Sequence, residues 1–287
     1  MNPEAVSSKK DYLLLLPSLI PLLIIFAYPL LRGIILTFQP YGDTGFTFEN
    51  YVRFFTEPNY YMTIYRTLLL VVPAAVLEMV VAFAITYYLR GRMKGKGLII
   101  GLIIFPLTLG SILVDMGIIA FFKPNGWFNQ ILLNLGLIDE PLRLLYNFWG
   151  TFIALFILGV AFISSNLAGM MDSTDPRLEQ AARSLGASEW ATFRRVFFPL
   201  IRSNVLTVFA LNLIMQLGVY TSAILVGNPS SETRTFAVVA FEEAMRHFNY
   251  NMANTVAMVM ALTQLTCLLI VFWIRRRGYV GSATTFK

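Results

Sequence analysis

Long apolar runs, rather than short alternations, set the pattern of this chain. Six stretches are long enough to cross a bilayer as helices: residues 13–38, 67–89, 98–122, 148–171, 203–227 and 251–274. The first holds Pro17, Pro21 and Pro29 and no charge before Arg32. The second and third hold one acid each, Glu78 and Asp115, and the last three hold none. The pattern predicts an all-α fold, an integral membrane bundle of six transmembrane helices forming one domain over residues 1–287. Prolines in the first three runs predict kinks, which neighbouring helices can tolerate.

The longest polar break, residues 172–202, has its own design. Asp175 followed by Pro176 reads as a helix start, a side-chain acceptor and then a residue whose missing N–H costs nothing in the first turn. Leu178, Ala181, Ala182 and Leu185 recur at i, i+3, i+4 and i+7, one apolar face. Gly186 falls where a left-handed C′ residue is needed. Ser188 caps a second helix with Trp190, Phe193 and Phe197 on its apolar side, and Pro199 predicts an end or bend at Phe198. The expected product is a helix, a glycine turn and a helix.

Composition moves the chain out of the soluble class. Of 287 residues, 57% are hydrophobic and 13% charged, against roughly 25% charged in soluble domains. The net charge of +6 does not indicate nucleic acid, because the basic residues flank apolar runs. With the N-terminus inside, fifteen Lys and Arg fall on the inner side, among them Lys9, Lys10, Arg90, Arg92, Arg275 and the five hinge arginines, against seven outside. This predicts cytoplasmic termini and a cytoplasmic hinge. Lys9 and Lys10 precede the first run, but no small-residue cleavage site follows, so the first span is read as uncleaved.

Between the spans, residues 39–66 are rich in aromatics that suit a headgroup belt, and residues 51–55 read as a short helix lying flat. Residues 131–138 read as another short helix, and the polar stretch 227–250 as part of a lid. Cys267 is the single cysteine and His247 the single histidine, so no disulfide or metal-ligand cluster is expected, and His247 is read as solvated.

Few residues carry chemistry. The run from Gly91 to Gly97 has three residues between its first two glycines, and Gly after Lys96, so it is no phosphate-binding loop. If ATP drives this protein, another chain binds it. Glu78, mid-span, is expensive on a lipid-facing helix, about 2.5–3.5 kcal/mol. It lines a path for a cationic solute, or hydrogen-bonds a neighbouring helix; both readings stay open. Asp115, in the outer half of its span, reads as a pathway residue. Asn212, Gln216 and Tyr220, spaced i, i+4, i+8, form one polar stripe suited to a polar solute or to helix association. Asn166, with Ser164 and Ser165, sits near an inner end.

The hinge run Gln180-Ala181-Ala182-x-x-x-Gly186, with Phe193 and Pro199, resembles the E-A-A-x-x-x-G signature of inner-membrane permease subunits of bacterial ATP-binding-cassette importers. Asn125–Asn129, Leu135–Arg143 and Ala182–Ser188 resemble the spermidine/putrescine branch, and the likeness runs from about Gly97 to Arg275. It implies a multi-pass subunit of the bacterial cytoplasmic (inner) membrane, not itself an enzyme and carrying no cofactor. Partners implied are a second permease subunit, two ATPase subunits holding ATP and Mg, an extracytoplasmic substrate-binding protein and membrane lipid, with no nucleic acid. The ATPase would grip the hinge through Glu179, Gln180, Ala181, Ala182, Gly186, Trp190 and Phe193. The signature's leading acid is Gln180 here, and Glu179 lies about 100° away around the helix. The branch implies a small cationic solute such as a polyamine; sugar, phosphonate and iron permeases share much of the pattern. The alternative is a proton- or cation-coupled secondary transporter using Glu78 and Asp115. An intramembrane enzyme lacks a nucleophile–base pair or a metal set.

Overall fold

The structure, a computed structural model, describes residues 9–43, 45–90 and 94–277. Both chain termini, Arg92 and Lys287 lie outside the described residues. Every element among those described is helical: α1 (Lys9–Thr37), α2 (Glu49–Thr56), α3 (Pro58–Tyr88), α4 (Lys96–Phe122), α5 (Trp127–Asn134), α6 (Phe148–Asp172), α7 (Pro176–Ser184), α8 (Glu189–Thr192), a π turn (Phe193–Phe197), α9 (Phe198–Leu217), α10 (Thr221–Leu225), α11 (Phe236–Met245) and α12 (Tyr250–Arg277). Five are long and apolar enough to cross a membrane, counting α8, the π turn and α9 as one; the described side of α1 adds a shorter apolar helix.

Helix α6 is the centre of the bundle, packed against α3, α4 and α9. Small residues make this close approach possible: Ala74, Ala75, Ala82, Ala154, Ala161 and Ala210 are all buried. Helix α1 packs at the periphery on α12. Two amides hold its end. Asn50 Nδ2 donates to Thr37 O and Gln39 O, and Asn251 Nδ2 donates to Leu36 O and Gln39 O, which satisfies carbonyls that a helix end leaves free.

Three expectations need correction. The fifth run does not extend to residue 227: α9 stops at Leu217, and Gly218–Tyr220 break the helix before α10. The boundary expected at Phe198 is present. The π turn ends on the bond from Phe198 N to Phe193 O, and Pro199 then sits in the first turn of α9, where no N–H is required. Segment 227–250 is not polar throughout, because α11 inserts Phe236 and Val239 into a core with Phe54, Tyr60 and Met252. The short helix after α4 begins at Trp127 and stops at Asn134. The prolines also act unequally. Pro73 lies within α3 with no non-helical residue, whereas α4 breaks at Gly110 (φ 75°, ψ 163°), four residues after Pro106.

His247 is not simply solvated; its Nδ1 lies 3.1 Å from Glu243 Oε1, which also accepts from the Tyr60 hydroxyl at 2.9 Å.

Candidate functional site

The two interrupted spans meet at one cavity. It holds about 390 Å³ and is lined by Leu107, Gly110 and Ser111 from the α4 break, Gly159 and Phe162 from α6, and Asn212, Gln216 and the residues from Gly218 to Ser222. Unwound backbone at bilayer depth is tolerated where it lines a cavity or is buried in protein. Here its carbonyls find partners. Gln264 Nε2 donates to Ile214 O, Thr235 Oγ1 to Val219 O, Thr151 Oγ1 to Ser222 O and Thr233 Oγ1 to Ala223 O, while Tyr146 N donates to Val226 O.

Both membrane acids lie behind this wall. Glu78, fully buried on α3, accepts at Oε2 from Asn212 Nδ2 and Gln216 Nε2, each at 2.7 Å. Two members of the polar stripe are therefore bonded to Glu78. Asp115, fully buried on α4, accepts from Ser222 Oγ at 2.9 and 3.0 Å. Glu78 Oε1 and Gln216 Oε1 are buried and have no hydrogen-bond partner among the described residues. Tyr220 leaves the stripe: it sits in the break with φ −126° and packs on Phe241 at 4.8 Å, though it still lines the cavity. Asn166 is remote from these groups in bonding, its Nδ2 donating to Phe162 O within its own helix.

Gly159 makes the Glu78 cluster possible. A Cβ there would stand 2.0 Å from Glu78 Oε2 and 2.6 Å from Gln216 Nε2. Sequence reasoning missed Gly159 and Ser222, since a glycine and a serine in apolar runs give no signal until a neighbouring helix is in place.

At the hinge, the capping chemistry is explicit. Asp175 Oδ1 accepts from Arg177 N, and Ser188 Oγ accepts from Ala191 N. Gly186 has φ 84°, with Gly186 N bonded to Arg183 O and Ala187 N to Ala182 O. This pair of bonds around a left-handed residue is a Schellman closure. The seven hinge residues do not share one face. Gln180, Ala181, Gly186 and Trp190 are exposed; Ala182 and Phe193 are half-buried; Glu179 is buried. Phe193 packs inward on Phe83, Tyr87 and Phe197. The outward apolar ridge is Leu178, Leu185 (89% exposed) and Trp190 (68% exposed).

A helical membrane bundle with an outward apolar ridge on a capped polar hinge, and a cavity where two spans break, fits the permease class of transport proteins. The chain belongs to the family of binding-protein-dependent transport system inner membrane components, which it matches over residues 13–277; it is a permease component of ABC importers and a multi-pass inner-membrane protein, not an enzyme. It is 28% identical over 183 residues to the spermidine/putrescine transport system permease protein PotB of Escherichia coli (strain K12). The match covers 63% of this chain and 66% of PotB, just under two thirds of that relative's length. It is 26% identical over 220 residues to a probable sulfate transport system permease protein, cysT, of Zygnema circumcarinatum, covering 76% and 75% of the two chains. In fold it is similar to a chain of a bacterial alginate ABC transporter crystallised with an alginate pentasaccharide-bound periplasmic protein, with TM-score 0.81, 20% identity and coverage of 96% and 98%. The secondary-transporter reading falls with the family match.

Proposed function

We propose that this subunit forms half of the path for a small cationic solute, such as a polyamine, in an ATP-driven importer. A second permease subunit completes the path, an extracytoplasmic binding protein delivers solute, and two ATPase subunits holding ATP and Mg dock on the hinge. Rocking of the two permeases as the ATPases close would give alternating access.

One observation carries the choice of solute. The cavity lining contains no Lys or Arg, and a carboxylate stands one hydrogen bond behind the wall on each side, Glu78 through Asn212 and Gln216, and Asp115 through Ser222. In a low-dielectric setting negative charge at that range favours a cation and opposes an anion. The name of PotB points the same way, while the sulfate and alginate names of other relatives mark the rival outcome.

Asp115→Asn tests this reading. The amide keeps an acceptor for Ser222 Oγ and removes the charge, so the assembled complex should persist at its normal level while polyamine uptake falls roughly tenfold, the equivalent of about 1.4 kcal/mol. Transport of sulfate or a neutral sugar by the purified complex, with polyamines ignored, would end the cationic reading and leave the importer class intact.

The side of the membrane is tested separately. Ser188 on the hinge and Ser231 before α11 are both exposed. Single cysteines placed there, in a Cys267→Ala background, should differ on intact spheroplasts: an impermeant thiol reagent labels position 231 and not 188. Labelling at 188 would invert the orientation that the basic residues predict.

A further inference from the structure

Arg90 stands two residues beyond the end of α3, at a junction of three elements. Its guanidinium lies 4.1 Å from the ring centroid of Phe197, in the π turn, and 4.5 Å from that of Tyr87, in the last turn of α3. Its Nη2 donates to Glu179 Oε2, forming an ion pair whose side chains are 21% and 9% exposed. Glu179 is therefore the inward anchor of α7, while Gln180 and Ala181 face out. The helical body of α7 otherwise packs against α8 and the π turn, at the start of the span that continues as α9. From Tyr88 back to Glu78, α3 runs without a non-helical residue, and Glu78 holds the two amides of the cavity wall.

We propose that Arg90 is a positioning residue, a closed clamp that holds α7 at a fixed angle to α3 and α9, so that displacement of α7 by a docked partner moves the cavity wall with it. The chemistry suits a clamp that stays shut. A planar guanidinium stacks on two rings and pairs with a carboxylate at once, which a lysine cannot reproduce. Breaking a largely buried pair leaves an uncompensated charge, so opening is disfavoured. Helix α3 then acts as a rigid rod of about 15 Å from its end at Tyr88 to Glu78.

The proposal rests on the reading that α7 docks an ATPase partner. The test uses the complex co-purified with its partner subunits and reconstituted in vesicles, and reads solute moved per ATP hydrolysed. Arg90→Ala should leave the ATPase subunits co-purifying in normal amount, while that ratio falls by a few-fold to about thirtyfold. Arg90→Lys should fall between Ala and the parent. The exchange Arg90→Glu with Glu179→Arg should recover part of the ratio lost in Arg90→Glu alone. A residue that only supports folding would lower the amount of complex and leave the ratio unchanged in what survives; that result overturns the clamp. Failure of both Arg90→Ala and Arg90→Lys to assemble overturns it too, by making Arg90 a folding residue. If ATPase subunits still co-purify with Leu185→Glu and Trp190→Glu, the docking reading has failed instead.

Discussion

Gly159→Ala is expected to be among the most damaging single substitutions in this protein. One added methyl carbon would stand 2.0 Å from Glu78 Oε2 and 2.2 Å from its Cδ. No rotamer of an alanine can relieve this, and Glu78 is pinned by Asn212 and Gln216, so α6 must retreat from α3 or the cluster must break. Overpacking of this kind costs about 1–3 kcal/mol, and freeing a hydrogen-bonded carboxylate adds roughly 1.5–3 kcal/mol. The thermal midpoint of the detergent-solubilised complex should fall and uptake should be lost. Gly169→Ala, on the same helix, meets nothing within 4 Å and should behave as the parent. Equal stability of the two variants would show that the α3–α6 approach is looser than described.

The second large effect is expected at Glu78 itself, and the choice of substituent separates its two roles. Glu78→Ala removes the acceptor that two buried amides share, leaving the donors of Asn212 and Gln216 unsatisfied at about 1–3 kcal/mol each. Complex yield and thermal stability should both drop. Glu78→Gln keeps a carbonyl oxygen of the same reach, so the cluster can persist and stability should stay near that of the parent. Uptake by the Gln variant then reports the charge alone: a loss with intact assembly places the carboxylate in solute recognition, and normal uptake assigns Glu78 to structure. A Gln variant as unstable as the Ala variant would mean that charge, not hydrogen-bond geometry, holds α3 to α9.

The hinge shows how far local chemistry reaches. Asp175, Ser188 and Gly186 act within a few residues of themselves, and the caps and the left-handed turn follow from side-chain acceptors and the absence of a Cβ. Glu179 shows where local reading stops. In sequence it is a displaced acid beside Gln180; its buried pairing with Arg90, 89 positions away, depends on where α3 ends relative to α7. Arg90 likewise counts in the sequence only as one more inner basic residue.

The membrane class, the helical fold, the approximate spans and the hinge were determined by the sequence alone, because each rests on run length, composition or capping within one segment. The breaks were not. Gly110 and Gly218 look like ordinary glycines in apolar runs; at the second break, tertiary partners such as Gln264 and Thr235 satisfy the freed carbonyls. The tertiary structure alone decided that Glu78 and Asp115 stand behind the cavity wall and not in it. A mid-span carboxylate must find partners, but period and spacing name only its own helix face. Which amide or hydroxyl it meets is set by how closely α3, α6 and α9 approach, and that distance is controlled by small residues on helices remote in sequence.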